Sequence, residues 1–228
     1  MKHLFITCTT LLLSGNLLAQ TMETDRVVDW NSDIYQVGQL YPGYIIKLEG
    51  DTVQGFIKAG QRCAIGGIGN NNQNSVEFYL SKSDRKPAAK YKSDQLKGYQ
   101  IADKLYESIN YNGGLFKKPN FNLVVKDGAI RVYLWYSTAE NYGFIKQQSG
   151  ESWQDFDKRR YESKTIIAKD PKKPIEHGML GLSFSKNMSA MVEDNPELAE
   201  KIKSKAKGYT LFNFFDVINE YNTWAKSR

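Results

Sequence analysis

The stretch that most constrains this chain runs from Tyr44 to Lys58, Tyr-Ile-Ile-Lys-Leu-Glu-Gly-Asp-Thr-Val-Gln-Gly-Phe-Ile-Lys. Two runs of alternating apolar residues flank Gly50-Asp51, which is the pattern of a β-hairpin. Glycine at the first central position of a two-residue loop suits a type II′ turn. That turn sets Leu48 opposite Val53, Ile46 opposite Gly55 and Tyr44 opposite Ile57, with these six residues on one face. An isolated hairpin is marginal in water, so later strands are expected to extend the sheet.

Candidate strands continue down the chain. Val76 to Ser81 has the aromatic and β-branched content of a strand. Lys97 to Ile109 reads as a second hairpin about Ala102-Asp103-Lys104. Phe121 to Val125 and Ile130 to Tyr136 read as a third, with Asp127-Gly128 signalling a type I′ turn. On the returning strand Val132, Leu134 and Tyr136 face one way, and Tyr133 and Trp135 the other. Apolar residues on both faces mark a central strand. Tyr142 to Gln147 and the residues after Ser149-Gly150 suggest a fourth hairpin. Between the first strands, the glycines and asparagines of Ala59 to Asn74 read as an irregular, mobile loop without phosphate-binding spacing.

The pattern changes near Pro174. Phe184, Met188, Met191 and Val192 fall at helical spacing. Asn195 caps a second helix, with Pro196 at its first position and Gly208 as its stop. Phe214, Val217, Ile218, Tyr221 and Trp224 form the stripe of a last helix, about 211 to 225, expected to pack on the sheet opened by the first hairpin with Tyr221 and Trp224 largely buried. Strands followed by helices define an α+β domain. The expectation is an antiparallel β-sheet or partly closed barrel built from successive hairpins (about 40–168), followed by C-terminal helices (about 183–226).

The first 19 residues have the form of a secretory signal peptide. Lys2 gives a basic start, Leu4 to Leu13 an apolar run, and Ala19 a small residue before Gln20. The run is too short for a membrane span, and no later stretch qualifies. The expected organisation is a signal peptide over 1–19, a flexible leader over 20–39 with a short strand near Asp33 to Val37, and one α+β domain over 40–228. Export leaves Cys63 as the only cysteine, so no internal disulfide is available. Loss of Lys2 lowers the formal net charge of +6 by one. That charge permits weak attraction to anionic surfaces.

Several residues resemble a known pattern: Gly43-Tyr44-Ile45-Ile46, Gly50-Asp51-Thr52 and Gly55-Phe56-Ile57 near the start, Leu96-Lys97-Gly98-Tyr99 and Tyr106-Glu107-Ser108 in the middle, Asp194-Asn195-Pro196-Glu197-Leu198 and Tyr221-Asn222 at the end. Together they resemble a family of uncharacterised exported proteins of Bacteroidetes bacteria. The resemblance implies export and a single domain. It carries over no functional residue.

The sequence offers no catalytic set. His177 is the only histidine after the signal segment, so a zinc site of several histidines is excluded within one chain, and neither metal nor cofactor is expected. Ser183, in Gly181-Leu182-Ser183-Phe184-Ser185, lacks the final glycine of a nucleophile elbow. Glu49, Asp51, Asp103, Glu107 and Glu140 are the candidate carboxylates for glycoside hydrolysis, and no spacing selects a pair. Tyr99, Tyr106, Tyr133, Trp135, Tyr136 and Tyr142 are candidates for a ring-lined glycan or peptide surface, or more simply for core packing. Lys158, Arg159 and Arg160 interleave with aromatics between Trp153 and Tyr161, but export argues against nucleic acid. The expected function is a non-enzymatic binding or interaction module of the envelope, periplasmic or extracellular, with an envelope protein, peptide or glycan as partner; the alternative is a carboxylate-dependent glycan-active enzyme.

Overall fold

The computed structural model describes residues 38–60, 73–113, 117–136, 148–152, 163–181 and 183–228. Among these, the strands are β1 Leu40–Lys47, β2 Thr52–Lys58, β3 Ser75–Tyr79, β4 Ala89–Lys92, β5 Leu96–Ile101, β6 Lys104–Ile109, β7 Asn120–Lys126, β8 Arg131–Tyr136, β9 Ser163–Ala168 and β10 Ile175–Glu176. The helices α1 Phe184–Met191, α2 Pro196–Lys203 and α3 Phe214–Lys226 follow. All ten strands join one antiparallel sheet in the order β10-β9-β8-β7-β6-β5-β1-β2-β3-β4. This is the expected α+β class, with an open sheet. The expected strand near Asp33 to Val37, the fourth hairpin's Tyr142 to Gln147 and Cys63 lie outside the described residues.

The open sheet is strongly rolled. If flat, β4 and β5 would stand four strand spacings apart, about 19 Å. Only Ser93, Asp94 and Gln95 connect them, and they turn back: Gln95 N donates to Lys92 O at 3.1 Å and Lys92 N to Gln95 Oε1 at 2.8 Å. The sheet therefore curls until the end of β4 comes near the start of β5. Side chains pin the curl from the far side. Ser108 Oγ donates to Ser93 O, and Ser93 Oγ donates to Pro119 O at 2.8 Å.

The first hairpin has a different register from the one expected. Tyr41 faces Ile57, Tyr44 faces Gln54, and Ile46 faces Thr52. The loop has four residues, closed by Lys47 N to Asp51 O at 2.8 Å and Gly50 N to Lys47 O at 3.0 Å. An odd slip in register exchanges the faces. Ile45 and Ile57 therefore enter the core, while Leu48 is left exposed in the loop. Gly50 still adopts φ +110°. Gly50→Ala is expected to destabilise by about 1 kcal/mol or more through backbone strain. An unchanged denaturation midpoint would refute this.

The core lies on one face of the sheet. There Tyr99 stacks on Tyr106 with ring centroids 4.9 Å apart, and meets Phe121 edge-on at 5.0 Å. Phe184, Met188, Leu198, Ile202, Phe214, Val217, Ile218 and Tyr221 bring the three helices onto the same cluster. A smaller cluster on the opposite face contains Ile109, Val124, Tyr133, Trp135 and Ile166, so β8 is covered on both sides as expected. The third hairpin departs in one respect. Its loop spans Asp127 to Ile130 rather than two residues, with Gly128 at φ +148°.

Two side-chain amides complete β8. At its far end Gln73 Nε2 donates to Tyr136 O at 2.7 Å, and Gln73 Oε1 accepts from Tyr136 N at 2.8 Å. Gln73 O also accepts from Phe121 N at 2.7 Å. The residue expected in a mobile loop is thus buried, because it replaces the backbone partner that β8 lacks. At the near end Asn222 Oδ1 accepts from Ile130 N, and Asn222 Nδ2 donates to Ile130 O, each at 2.8 Å. Among the described residues, the Asn222 bonds from α3 to the sheet therefore lie at the β7–β8 loop, not at the first hairpin.

The helix boundaries also need correction. Asn195 Oδ1 accepts from Leu198 N at 3.2 Å, as a cap should. However, α2 ends at Lys203, not at Gly208. Lys205 takes the left-handed position (φ +55°), with Ala206 N donating to Lys201 O at 3.0 Å. Strands also continue past the expected limit, since Ile175 and Glu176 pair with β9. Trp224 is only partly buried, with the Arg228 guanidinium 4.1 Å from its ring centre.

Asp194 and Tyr221, both in the resemblance motifs, bond to each other. Tyr221 Oη donates to Asp194 Oδ2 at 2.9 Å, and Lys169 Nζ to Asp194 Oδ1 at 2.8 Å. The Lys169 hydrogen bond, the largest influence, holds the Asp194 pKa below its ordinary 3.8. A depressed folded-state pKa stabilises above the unfolded-state value, and the contribution is lost as pH falls through the folded value. The melting-temperature gap between wild type and Asp194→Asn is expected to shrink as pH drops below 3.8. A gap independent of pH would refute the assignment.

Candidate functional site

The aromatic candidates go to the core. Tyr99, Tyr106, Tyr133, Trp135 and Tyr136 are all buried, and none offers an open ring surface. Tyr142 lies outside the described residues. So do Glu140, Lys158, Arg159 and Arg160.

The carboxylates divide by position. Glu49 and Asp51 are exposed at the first loop. Asp103 pairs with the buried Lys104 at 2.8 Å. Glu107 belongs to a network on the face opposite the helices. Its Oε1 lies 2.9 Å from Arg131 Nη1, and its Oε2 accepts from Tyr133 Oη at 2.9 Å. Arg131 Nε donates to Asp127 Oδ1 at 3.0 Å. Burial, and then the Glu107 charge, raise the Tyr133 pKa, so its hydroxyl remains a donor. Burial disfavours the Arg131 charge, but Glu107, Tyr133 and Asp127 outweigh it and raise its pKa. Glu107 and Asp127 thus converge on a guanidinium. A second set lies further across the sheet, where Glu176 Oε2 accepts from Tyr111 Oη at 2.6 Å and Glu176 Oε1 lies 3.4 Å from Lys164 Nζ.

His177 packs its ring 4.7 Å from the Phe214 ring, and burial lowers its pKa. Ser183 Oγ accepts from Asn187 Nδ2 at 2.8 Å. The described residues contain no group of three or more metal-ligating side chains.

The feature that sequence reasoning missed is a groove of about 590 Å³ at the start of α1. Phe184, Leu211 and Phe212 supply its apolar wall. Ser183, Ser185 and Thr210 add hydroxyl-bearing side chains, and Lys186 and Lys205 are its charged lining residues. Among the described residues no carboxylate lines it. Phe212 is 77% exposed. The groove draws on three separate segments. The helical start of α1 brings Ser185 and Lys186, the left-handed residue after α2 brings Lys205, and the 3₁₀ turn Leu211–Asn213 before α3 brings its aromatic lip. Left-handed backbone costs a non-glycine residue about 1–2 kcal/mol, so lysine at position 205 is held there against local preference. Lys186 and Lys205 form no ion pair among the described residues, whereas Lys201 binds Glu197 at 2.8 Å.

A second cavity, about 550 Å³, lies between the β7–β8 loop and α3. It has one carboxylate in its lining, Asp127, which holds Arg131. No helix among the described residues is long and apolar enough to cross a membrane. Comparisons with protein-family models, curated proteins and solved structures found no match.

Proposed function

We propose that this chain is an exported, non-enzymatic binding module of the cell envelope, and that it binds through the groove at the start of α1. One observation carries the reading: an apolar groove with a strongly exposed phenylalanine on its lip and no carboxylate among its described lining residues. A concave site lined by aromatic and apolar side chains with a few polar groups is the usual form of a small-ligand site. The leader pattern and the resemblance to exported Bacteroidetes proteins support the export part of the reading. The glycan-active alternative needs two carboxylates flanking a substrate. Glu107 and Asp127 are instead spent on Arg131.

An uncharged fluorescent apolar probe, N-phenylnaphthylamine, tests the groove. Saturable binding is expected. Phe212→Ser is expected to weaken it about ten- to a hundredfold, since burying a phenylalanine is worth about 1.5–3 kcal/mol. Leu48→Ser, which alters an exposed leucine in the first loop, should leave binding unchanged. Absence of saturable binding, or equal loss in both variants, would overturn the reading.

A further inference from the structure

Resting on that reading, we infer that the groove's occupant is a single-chain anionic amphiphile, with its apolar chain against Phe184, Leu211 and Phe212 and its acid head near Lys186 and Lys205. Charge complementarity selects this chemistry. Among the described residues, both charged lining residues are lysines, no carboxylate lines the groove, and neither lysine forms an ion pair. A cation beside an apolar wall is satisfied by an acid joined to a hydrocarbon. Both lysines are exposed, so an acid head can meet them at the solvent-facing side of the groove while its hydrocarbon covers the aromatic wall. Lys205 strengthens the case. Glycine would occupy its left-handed position without strain, yet a lysine stands there at the groove.

Size separates a small ligand from a protein partner. A groove of about 590 Å³ falls in the range of small-molecule sites, roughly 300–1,000 Å³. Stable protein partners bury about 800 Å² on each side, which calls for a wider face. The shared ligand chemistry is an alkyl chain with an anionic head. Fatty acids and alkyl phosphates both supply it.

Displacement of bound N-phenylnaphthylamine distinguishes the cases. Decanoate, decyl phosphate, decanol and an acidic, aromatic peptide are each titrated below any micelle-forming concentration. Decanoate or decyl phosphate is expected to displace the probe at about one-tenth of the decanol concentration. The better of the two identifies the head group. The double variant Lys186→Gln, Lys205→Asn should abolish the advantage and leave decanol unchanged; asparagine tolerates the left-handed backbone, so folding is preserved. Equal displacement by decanol and both anions would overturn the inference while leaving the binding module intact. Stronger displacement by the peptide would overturn it in favour of a protein partner. Failure of the uncharged probe itself to bind would remove the groove reading beneath both.

Discussion

Gln73→Leu is expected to lower stability by about 2–5 kcal/mol, because it strands two buried backbone groups of Tyr136 at roughly 1–3 kcal/mol each. For a domain of this size that is a fall in melting temperature of about 5–15 °C. The side chain is 1% exposed, so water cannot take its place without rearrangement. Gln73→Glu adds a chemical check. A carboxylate still accepts from Tyr136 N but cannot donate to Tyr136 O, and it adds a buried charge. A protonated carboxyl regains the donor. The deficit of Gln73→Glu relative to wild type is therefore expected to narrow as pH is lowered, while that of Gln73→Leu is not. Thermal melts across pH read both effects. A Gln73→Leu variant within about 0.5 kcal/mol of wild type would refute the clasp.

The second large effect is at Asn222. Asn222→Ala removes both bonds to Ile130, with an expected loss of about 2–4 kcal/mol, less than at Gln73 because the site is only partly buried. Gly128 provides the partner measurement. A Cβ built there would lie 2.2 Å from Asn222 Nδ2, on a backbone with φ +148°. Gly128→Ala should therefore destabilise by clash as well as strain. Removing the Asn222 amide relieves the clash, so Gly128→Ala should cost less in the Asn222→Ala background than in wild type. The two free-energy changes are expected to be non-additive by about 0.5–3 kcal/mol. Strict additivity in urea denaturation would show that the two residues do not touch.

These positions also show what was legible in the sequence. The helices were, because their signals are local: Asn195 and Pro196 at a cap, and Phe214, Val217, Ile218 and Tyr221 at three- and four-residue steps. The alternation across β8 was legible too, since a strand covered on both faces is apolar on both. The register of β1 and β2 was not. Gly50 marks a left-handed residue but does not count the residues in the loop, and a slip of odd number moves Ile45 inward and Tyr44 outward. Gln73 was hidden because a buried amide inside an asparagine-rich run has the same local signature as a solvated loop. Its partner, Tyr136, lies 63 residues away. The pairing of β5 with β1 is non-local in the same sense, and two-residue β10 is too short to leave a pattern. The groove was illegible for a related reason. Its walls come from the start of α1, the end of α2 and the turn before α3. Only their packing shows that Phe212, which falls off the helical stripe, stands beside two lysines.

The Asn222 clamp bears on the order in which the molecule assembles. Ile130 is made 92 residues before the side chain that satisfies its backbone. A growing chain can zip the hairpins of the sheet as they emerge, but Ile130, the last residue of the β7–β8 loop, keeps an open donor and acceptor until α3 arrives. Loop closure over such a span is slow compared with hairpin formation. In order of synthesis, the hairpins of the sheet can pair before the amide that clamps Ile130 has been made. Until α3 is in place, water must satisfy the Ile130 N–H and C=O beside Gly128.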